Sequence, residues 1–297
     1  MPDRADIPPL YFSRLTAGPK ALRRRCFPAG LFGLLLAATT MWTRADVVLA
    51  NFSPARPLKI MAVGDSITDD CFGNGAYRLY LQPLLESNGY AFTFVGRNVS
   101  AAAPGFTQRR HEGYCGVPIA PPACYGVHDY SGTDACLEKI VPDALTNATP
   151  DVILLLIGAN DIGHGRDPFH VATNDMPALL DLIFSKAPAV NVVIGQITSL
   201  TNGSWGYGNY CTNVPIYNAA LKKMVNTRRA GGQNVFLADC FSAVDIGTGF
   251  QSDHVHPNAS GFNALAQAWL KSIQAITIRT NPATPAAVRS GDIRKQP

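Results

Sequence analysis

Charge of either sign is scarce in this 297-residue chain: 15% of its residues are Asp, Glu, Lys or Arg, against 47% hydrophobic. A mostly disordered chain needs the opposite balance, so that class is excluded. The formal net charge of +4 belongs to the ends. Residues 1–45 hold 7 basic and 2 acidic side chains and the other 252 hold 18 and 19, a net of −1. Without 280–297, which hold 3 basic and 1 acidic, the remainder has 15 against 18, or −3. A body without basic surplus offers no groove for nucleic acid. No Cys-x-x-Cys pair occurs, which removes a zinc ribbon or a thioredoxin-like site. No internal repeat is visible and no compositional break divides 50–279, so one domain is the better count despite a length that would allow two.

What is there begins with a leader. Arg23, Arg24 and Arg25 precede 18 uncharged residues, Cys26 to Thr43, with small residues near Ala45. A positive start, an apolar run and a small-residue site make 1–45 a secretory signal, cleaved after Ala45 or after Ala50. The competing reading is an uncleaved anchor, since this run lies at the lower limit for spanning a bilayer. Either way the body faces outward, secreted or held at the membrane with its domain outside. Of seven cysteines, Cys26 lies in the leader, leaving Cys71, Cys115, Cys124, Cys136, Cys211 and Cys240, an even six suited to an oxidising compartment. All six fall in or just after segments that follow strands, so disulfides would brace one face. Cys211–Cys240 and Cys115–Cys124 are the favoured pairs. Asn-x-Ser/Thr sequons begin at Asn51, Asn98, Asn147, Asn202 and Asn258, and matter only in a host that glycosylates.

Along the body, apolar runs alternate with helical patterns. Strands are expected at Leu58–Val63, Phe92–Gly96, Asp151–Ile157, Asn191–Ile197 and Asn234–Asp239. Helices are expected over 76–87, from a Ser131 cap to about Leu145, near 173–186, over 214–229 and over 259–276, with 97–130 irregular. This alternation predicts an α/β fold, a three-layer α/β/α sandwich on a five-stranded parallel sheet with right-handed crossovers. The tail 280–297 has too little apolar content to pack and is expected to be disordered. In such sheets ligands bind outside the carboxyl ends of the strands.

Three blocks follow strand ends: Gly64–Asp65–Ser66–Ile67, Gly158–Ala159–Asn160–Asp161, and Asp253–His254–Val255–His256. A serine on a tight strand-to-helix turn projects its hydroxyl and sits at the positive helix end, but needs a base within hydrogen-bond reach. An Asp three residues before a His can turn back and hold the imidazole in one tautomer, the spacing of Asp253 and His256. Each piece alone has a bland reading: Gly-Asp-Ser is also a helix-capping turn, and Asn160 equally a capping amide. A metal at Asp253, His254 and His256 would need further ligands that the sequence does not identify, so no metal and no cofactor are expected. Three chemically matched blocks together point to nucleophilic catalysis.

These blocks resemble the SGNH (GDSL-type) hydrolases, through GDSI at 64–67, GAND at 158–161 and DHVH at 253–256. The second family block is matched by His111–Glu112–Gly113–Tyr114–Cys115–Gly116. That HEGxxG wording after FVG is similar to carbohydrate esterase family 3, the secreted acetylxylan esterases. The resemblance covers about 58–276 and implies a flavodoxin-like sheet. It implies Ser66 as nucleophile, His256 as base and Asp253 as its orienting partner. Its oxyanion hole would be the N–H groups of Ser66 and Gly116, with Gly113 as the alternative, and the Asn160 amide. The implied activity is removal of acetyl or other short acyl groups from acetylated polysaccharide such as xylan, by a monomer. Cys115 departs from the Ser that relatives often carry there. Two alternatives remain: a lipase or lysophospholipase of the same family, and a non-catalytic carbohydrate-binding protein on the same fold. Gly-, Asn-, Ser- and Tyr-rich loops favour a polar substrate over a lipid. Trp205, Tyr207 and Tyr210 in the loop 198–213 would either stack on sugar rings or form a small satellite core. His254 is expected to point away from His256, His111 to order the second block's loop, and Asp65 and Asp161 to support their turns.

Overall fold

A computed structural model describes residues 49, 52–69, 71, 75–121, 135–200 and 210–277. The leader, Cys124, Ser131, Trp205, Tyr207 and the tail 280–297 lie outside the described residues.

The chain runs β1 (Leu58–Gly64), α1 (Ser66–Asp69), α2 (Ala76–Ser87), β2 (Phe92–Val95), β3 (Asn98–Val99), β4 (Arg110–Gly113) and α3 (Leu137–Asn147). It continues through β5 (Val152–Leu156), α4 (Ala159–Gly163), α5 (Pro168–His170), a π-helical turn (Val171–Asp175) and α6 (Met176–Lys186). β6 (Asn191–Gly195), α7 (Tyr210–Ala230), β7 (Val235–Ala238), α8 (Cys240–Ala243) and α9 (Ala259–Ile276) complete it. All five expected strands are present and parallel, in the order β2–β1–β5–β6–β7.

The central strands are buried throughout because helices cover both faces. β5 (VILLL) and β6 (NVVIG) have every residue buried. Strands covered on both sides read as unbroken apolar runs rather than alternation. α2 and α9 lie together on one face, where the Tyr77 and Trp269 rings meet 5.7 Å apart. α3, α6 and α7 with the π turn form the other layer. Among the described residues no helix is long and apolar enough to cross a membrane.

Helix α3 starts at Leu137 with Cys136, not Ser131, as its cap, and α7 starts at Tyr210 rather than at 214; two further features depart from expectation. The stretch read as irregular contains two more strands: β4 runs parallel to β1 at Val63 and Gly64, and β3 pairs antiparallel with β4. They are too short and polar (NV and RHEG) for periodicity to register. β1 is thus flanked by β2 along Leu58–Met61 and by β4 at its carboxyl end. The handover requires Gly96, whose φ is +147°; a Cβ there would lie 2.3 Å from the His111 carbonyl oxygen. The favoured disulfides are also corrected. Cys115 is bonded to Cys71, not to Cys124. Cys240 is a thiol sealed in the core while Cys211 is exposed on the first turn of α7, so the two are not bridged. Burial drives the Cys240 thiol pKa well above its ordinary value.

Candidate active site

The chain leaves β1 to one side for β2 and returns to the other for β5, so strand order reverses between β1 and β5. That reversal opens a crevice at the carboxyl ends, the place such sheets bind ligands. Gly64 of β1 is in register with Gly113 of β4 and Leu156 of β5. The segments that follow, carrying Ser66, Gly116 and Asn160, therefore emerge at one level.

Ser66 is the first residue of α1 and is buried except for a sliver of surface. The turn is built by Asp65, whose carboxylate accepts the Ile67 N–H at 3.0 Å and whose carbonyl accepts those of Thr68 and Asp69. The Ser66 N–H donates to no described residue, as expected for a group at a helix start. Asp65 is pushed up to about 7, chiefly by burial; the Ile67 N–H opposes this and the nearby Asp161 charge adds to it.

The third block places an imidazole against that hydroxyl. His256 Nε2 lies 2.9 Å from Ser66 Oγ, and its Nδ1 lies 2.6 Å from Asp253 Oδ2. The other oxygen of Asp253 accepts the N–H groups of Val255 and His256, each at 3.0 Å. Burial would raise the Asp253 carboxyl, but these bonds outweigh it and hold the group below its ordinary value. The loop ends where Asn258 caps α9 through the N–H groups of Ser260 and Gly261, which ties the base to an 18-residue helix. His254 is exposed, in the left-handed conformation at φ 55°, and takes no part in this chain of bonds.

The second block supplies a turn. Tyr114 N–H bonds the Gly64 carbonyl, and Val117 N–H bonds that of Tyr114. Cys115 N–H bonds Asp69 Oδ2 at 3.0 Å. Gly116, at φ +76°, donates its N–H to no described residue. Gly113 is committed, its N–H donating to His111 Nδ1 at 3.1 Å. Burial, with the Arg78 charge behind it, lowers His111 to about 2 and keeps it a neutral acceptor. Asn160 joins this turn to the end of β5: its amide nitrogen donates to the Val117 carbonyl at 3.0 Å. An amide nitrogen has two hydrogens, and the second bonds no described residue. Among the described residues the N–H groups of Ser66 and Gly116 and one hydrogen of the Asn160 amide thus remain unbonded at the carboxyl ends of the strands, donors of the kind that can hold a developing oxyanion.

Supporting residues were less visible in the sequence. Asp161 bonds Arg166 at 2.5 Å and the Ile119 N–H at 3.1 Å, so it braces its own turn and the second block together. It is pushed up to about 6 by burial, against the pull of Arg166. Glu112, fully buried, is paired with Arg97 at 3.0 Å and accepts the Tyr114 hydroxyl. Arg78 reaches from α2 to the Thr68 carbonyl and to Asp69 O at 3.3 Å, supporting the end of α1 from below. The one sequence signal for it is a polar pair, Arg78 and Gln82, one turn apart on the buried face of α2. Of the proposed sugar contacts, Tyr210 is the first residue of α7, while Trp205 and Tyr207 fall outside the described residues.

Asp69, Cys71 and Cys115 are the cluster of metal-ligating types among the described residues, and there the sulfurs are joined to each other.

Residues 62–264 match the GDSL-like lipase/acylhydrolase family. The chain is 31% identical over 240 residues to a multidomain esterase of Ruminococcus flavefaciens, covering 75% of this chain and 29% of that protein. It therefore spans under a third of the length of the curated relative it matches. A family 3 carbohydrate esterase of Clostridium thermocellum superposes with a TM-score of 0.59 at 26% identity, covering 74% of this chain and 96% of the other. A family 3 carbohydrate esterase of Talaromyces cellulolyticus, with a TM-score of 0.57 at 24% identity over 74% and 98%, shares the fold.

Proposed function

The chain belongs to the GDSL-like lipase/acylhydrolase family and is a carboxylic ester hydrolase, and on that premise we propose a secreted serine esterase that removes acetyl groups from acetylated polysaccharide such as xylan. The observation that carries the mechanism is the unbroken sequence of hydrogen bonds from Asp253 through His256 to Ser66.

In this reading Ser66 Oγ attacks the ester carbonyl carbon while His256 Nε2 takes its proton. Asp253, ionised and fixed by two backbone N–H groups, holds the opposite ring nitrogen protonated and steadies the imidazolium. Negative charge gathering on the carbonyl oxygen meets the N–H groups of Ser66 and Gly116 and the Asn160 amide. The tetrahedral intermediate collapses, His256 passes the proton to the departing sugar hydroxyl, and Ser66 is left acylated. Water activated by His256 attacks the acyl group in turn, releases acetate and restores Ser66. No step calls on a metal or cofactor.

The polysaccharide reading draws on the Clostridium thermocellum neighbour, which is a carbohydrate esterase by name. Export is supported by the leader pattern and by the Cys71–Cys115 disulfide, a bond that persists in oxidising compartments.

The test is acetate release from acetylated xylan by the oxidatively folded protein, beside Ser66→Ala and a short-acyl chromogenic ester. Release lost in Ser66→Ala is the expected result. Cleavage of the small ester alone would keep the serine mechanism and remove acetylxylan as substrate. Full activity in pure Ser66→Ala would overturn the mechanism.

A further inference from the structure

The nucleophile helix and the turn that carries Gly116 come from distant parts of the chain, yet two links join them directly. One is the carboxylate of Asp69, the last residue of α1, on the N–H of Cys115 at 3.0 Å. The other is the disulfide between Cys71, just beyond that helix, and Cys115, with Cα atoms 6.0 Å apart and a sequence separation of 44. Both end on the residue immediately before Gly116: one on the backbone nitrogen, the other on the side chain.

We propose that the Cys71–Cys115 disulfide, acting with Asp69, is a positioning device for the oxyanion site: it fixes the Gly116 N–H relative to Ser66, so that turnover depends on its oxidation state. This rests on the reading of Ser66 and Gly116 given above. Gly116 sits at φ +76° with open space where a Cβ would be, so its own packing does little to hold it. The remaining backbone ties of the turn, Tyr114 to Gly64 and Val117 to Tyr114, lie on either side of the Cys115–Gly116 peptide. A shift of Cys115 away from α1 would carry the start of that peptide, and with it the Gly116 N–H, off the oxyanion. The Asp69 bond and the disulfide hold Cys115 against such a shift. An oxyanion donor acts only when aimed at the oxygen of the transition state, so such looseness weakens transition-state binding more than substrate binding. A dithiol opens the bridge by exchange: the S–S bond breaks, two S–H bonds form, and the dithiol leaves as its own cyclic disulfide, having given two electrons and two protons.

The experiment compares the oxidised protein, the same protein after dithiol treatment, and Cys71→Ser/Cys115→Ser, using a short-acyl ester. Rates are expressed per active site titrated to completion with a serine-reactive phosphonate, so that unfolded molecules drop out of the count. The expected result is a kcat per site lowered about tenfold or more, short of the roughly 10²–10³ for outright loss of a donor. KM should move less than about threefold, and affinity for a boronic acid that mimics the tetrahedral adduct should weaken in parallel with kcat. Reoxidation should restore all three. A kcat per site within about twofold of the oxidised protein would overturn the proposal and leave the disulfide a stabilising staple. A reduced or double-variant protein with no titratable site at all would overturn it too, making the bridge a requirement of folding. Ser66→Ala separates the two levels: if it keeps activity, the serine mechanism itself fails, whereas a dead Ser66→Ala beside fully active cysteine variants fails only the positioning role.

Discussion

The Gly113 N–H points at Nδ1 of His111, 3.1 Å away and two residues back in the same strand end. This bond separates two glycines that are equivalent in the motif His111–Glu112–Gly113–Tyr114–Cys115–Gly116. Gly113 is consumed in building the turn. Gly116, three residues on, keeps its N–H unbonded among the described residues beside Ser66 and Asn160.

In the proposed mechanism the Asn160 amide shares the oxyanion with two backbone donors. Asn160→Ala should lower kcat by about 10²–10³ with little change in KM, since the contact forms fully only in the transition state. Steady-state kinetics on a short-acyl ester check this. An unchanged kcat would remove Asn160 from the oxyanion site.

Asp253 acts through geometry as well as charge. Its Oδ1 is pinned by two backbone N–H groups, so in Asp253→Asn the carbonyl oxygen stays there and the new NH2 faces His256 Nδ1. That hydrogen forces the proton to Nε2, the atom that accepts the Ser66 proton in the proposed mechanism. A kcat loss of about 10³–10⁴ is expected, with the protein still folded by circular dichroism. A loss under tenfold would mean that Asp253 does not set the tautomer.

Glu112 is buried with Arg97 as its ion partner and the Tyr114 hydroxyl as a second donor. Replacing it with Ala takes a buried acceptor from both groups beneath the second block. Destabilisation of about 3 kcal/mol is expected, seen as a fall in Tm of about 6–10 °C. A change of under about 2 °C would show that the pair contributes little.

Asp65 and Asp161 are carboxyls whose folded pKa values, about 7 and about 6, lie above the ordinary 3.8, mainly through burial. The folded state binds their protons more tightly than the unfolded state does. Their contribution to stability is complete below about pH 4 and is lost as pH rises through the folded values. Asp65→Asn keeps an oxygen for the Ile67 N–H and removes the titration. Its Tm should fall less steeply between about pH 4 and 8 than that of the wild type, and lie a few degrees higher at pH 8. Parallel Tm–pH curves would contradict the raised value for Asp65.

Much of the candidate site was legible because each block is local. Asp65 caps its own turn, Asp253 reaches a histidine three residues away, and both signatures survive in a linear reading. The five main strands were legible for a similar reason: VILLL and NVVIG are unbroken apolar runs. β3 and β4 escaped notice because their pairing is conferred by neighbours, not by pattern. RHEG becomes a strand only because β1 runs beside it and Gly96 admits its backbone. The disulfide escaped for the same reason. Cys124 is near Cys115 in sequence, but Cys71 is the residue that the fold carries to it.

The sequence by itself determined the alternation of strand and helix, the parallel sheet and the identity of the three chemical blocks, since periodicity and turn chemistry act over a few residues. Tertiary structure alone decided which glycine of the second block keeps its N–H, which cysteines meet, and that Asn160 is tied to Val117 across the crevice. Those outcomes rest on the registers of β1 with β4 and with β5. Such registers are fixed by burying both faces of the sheet at once, a condition on the whole chain that no single segment contains.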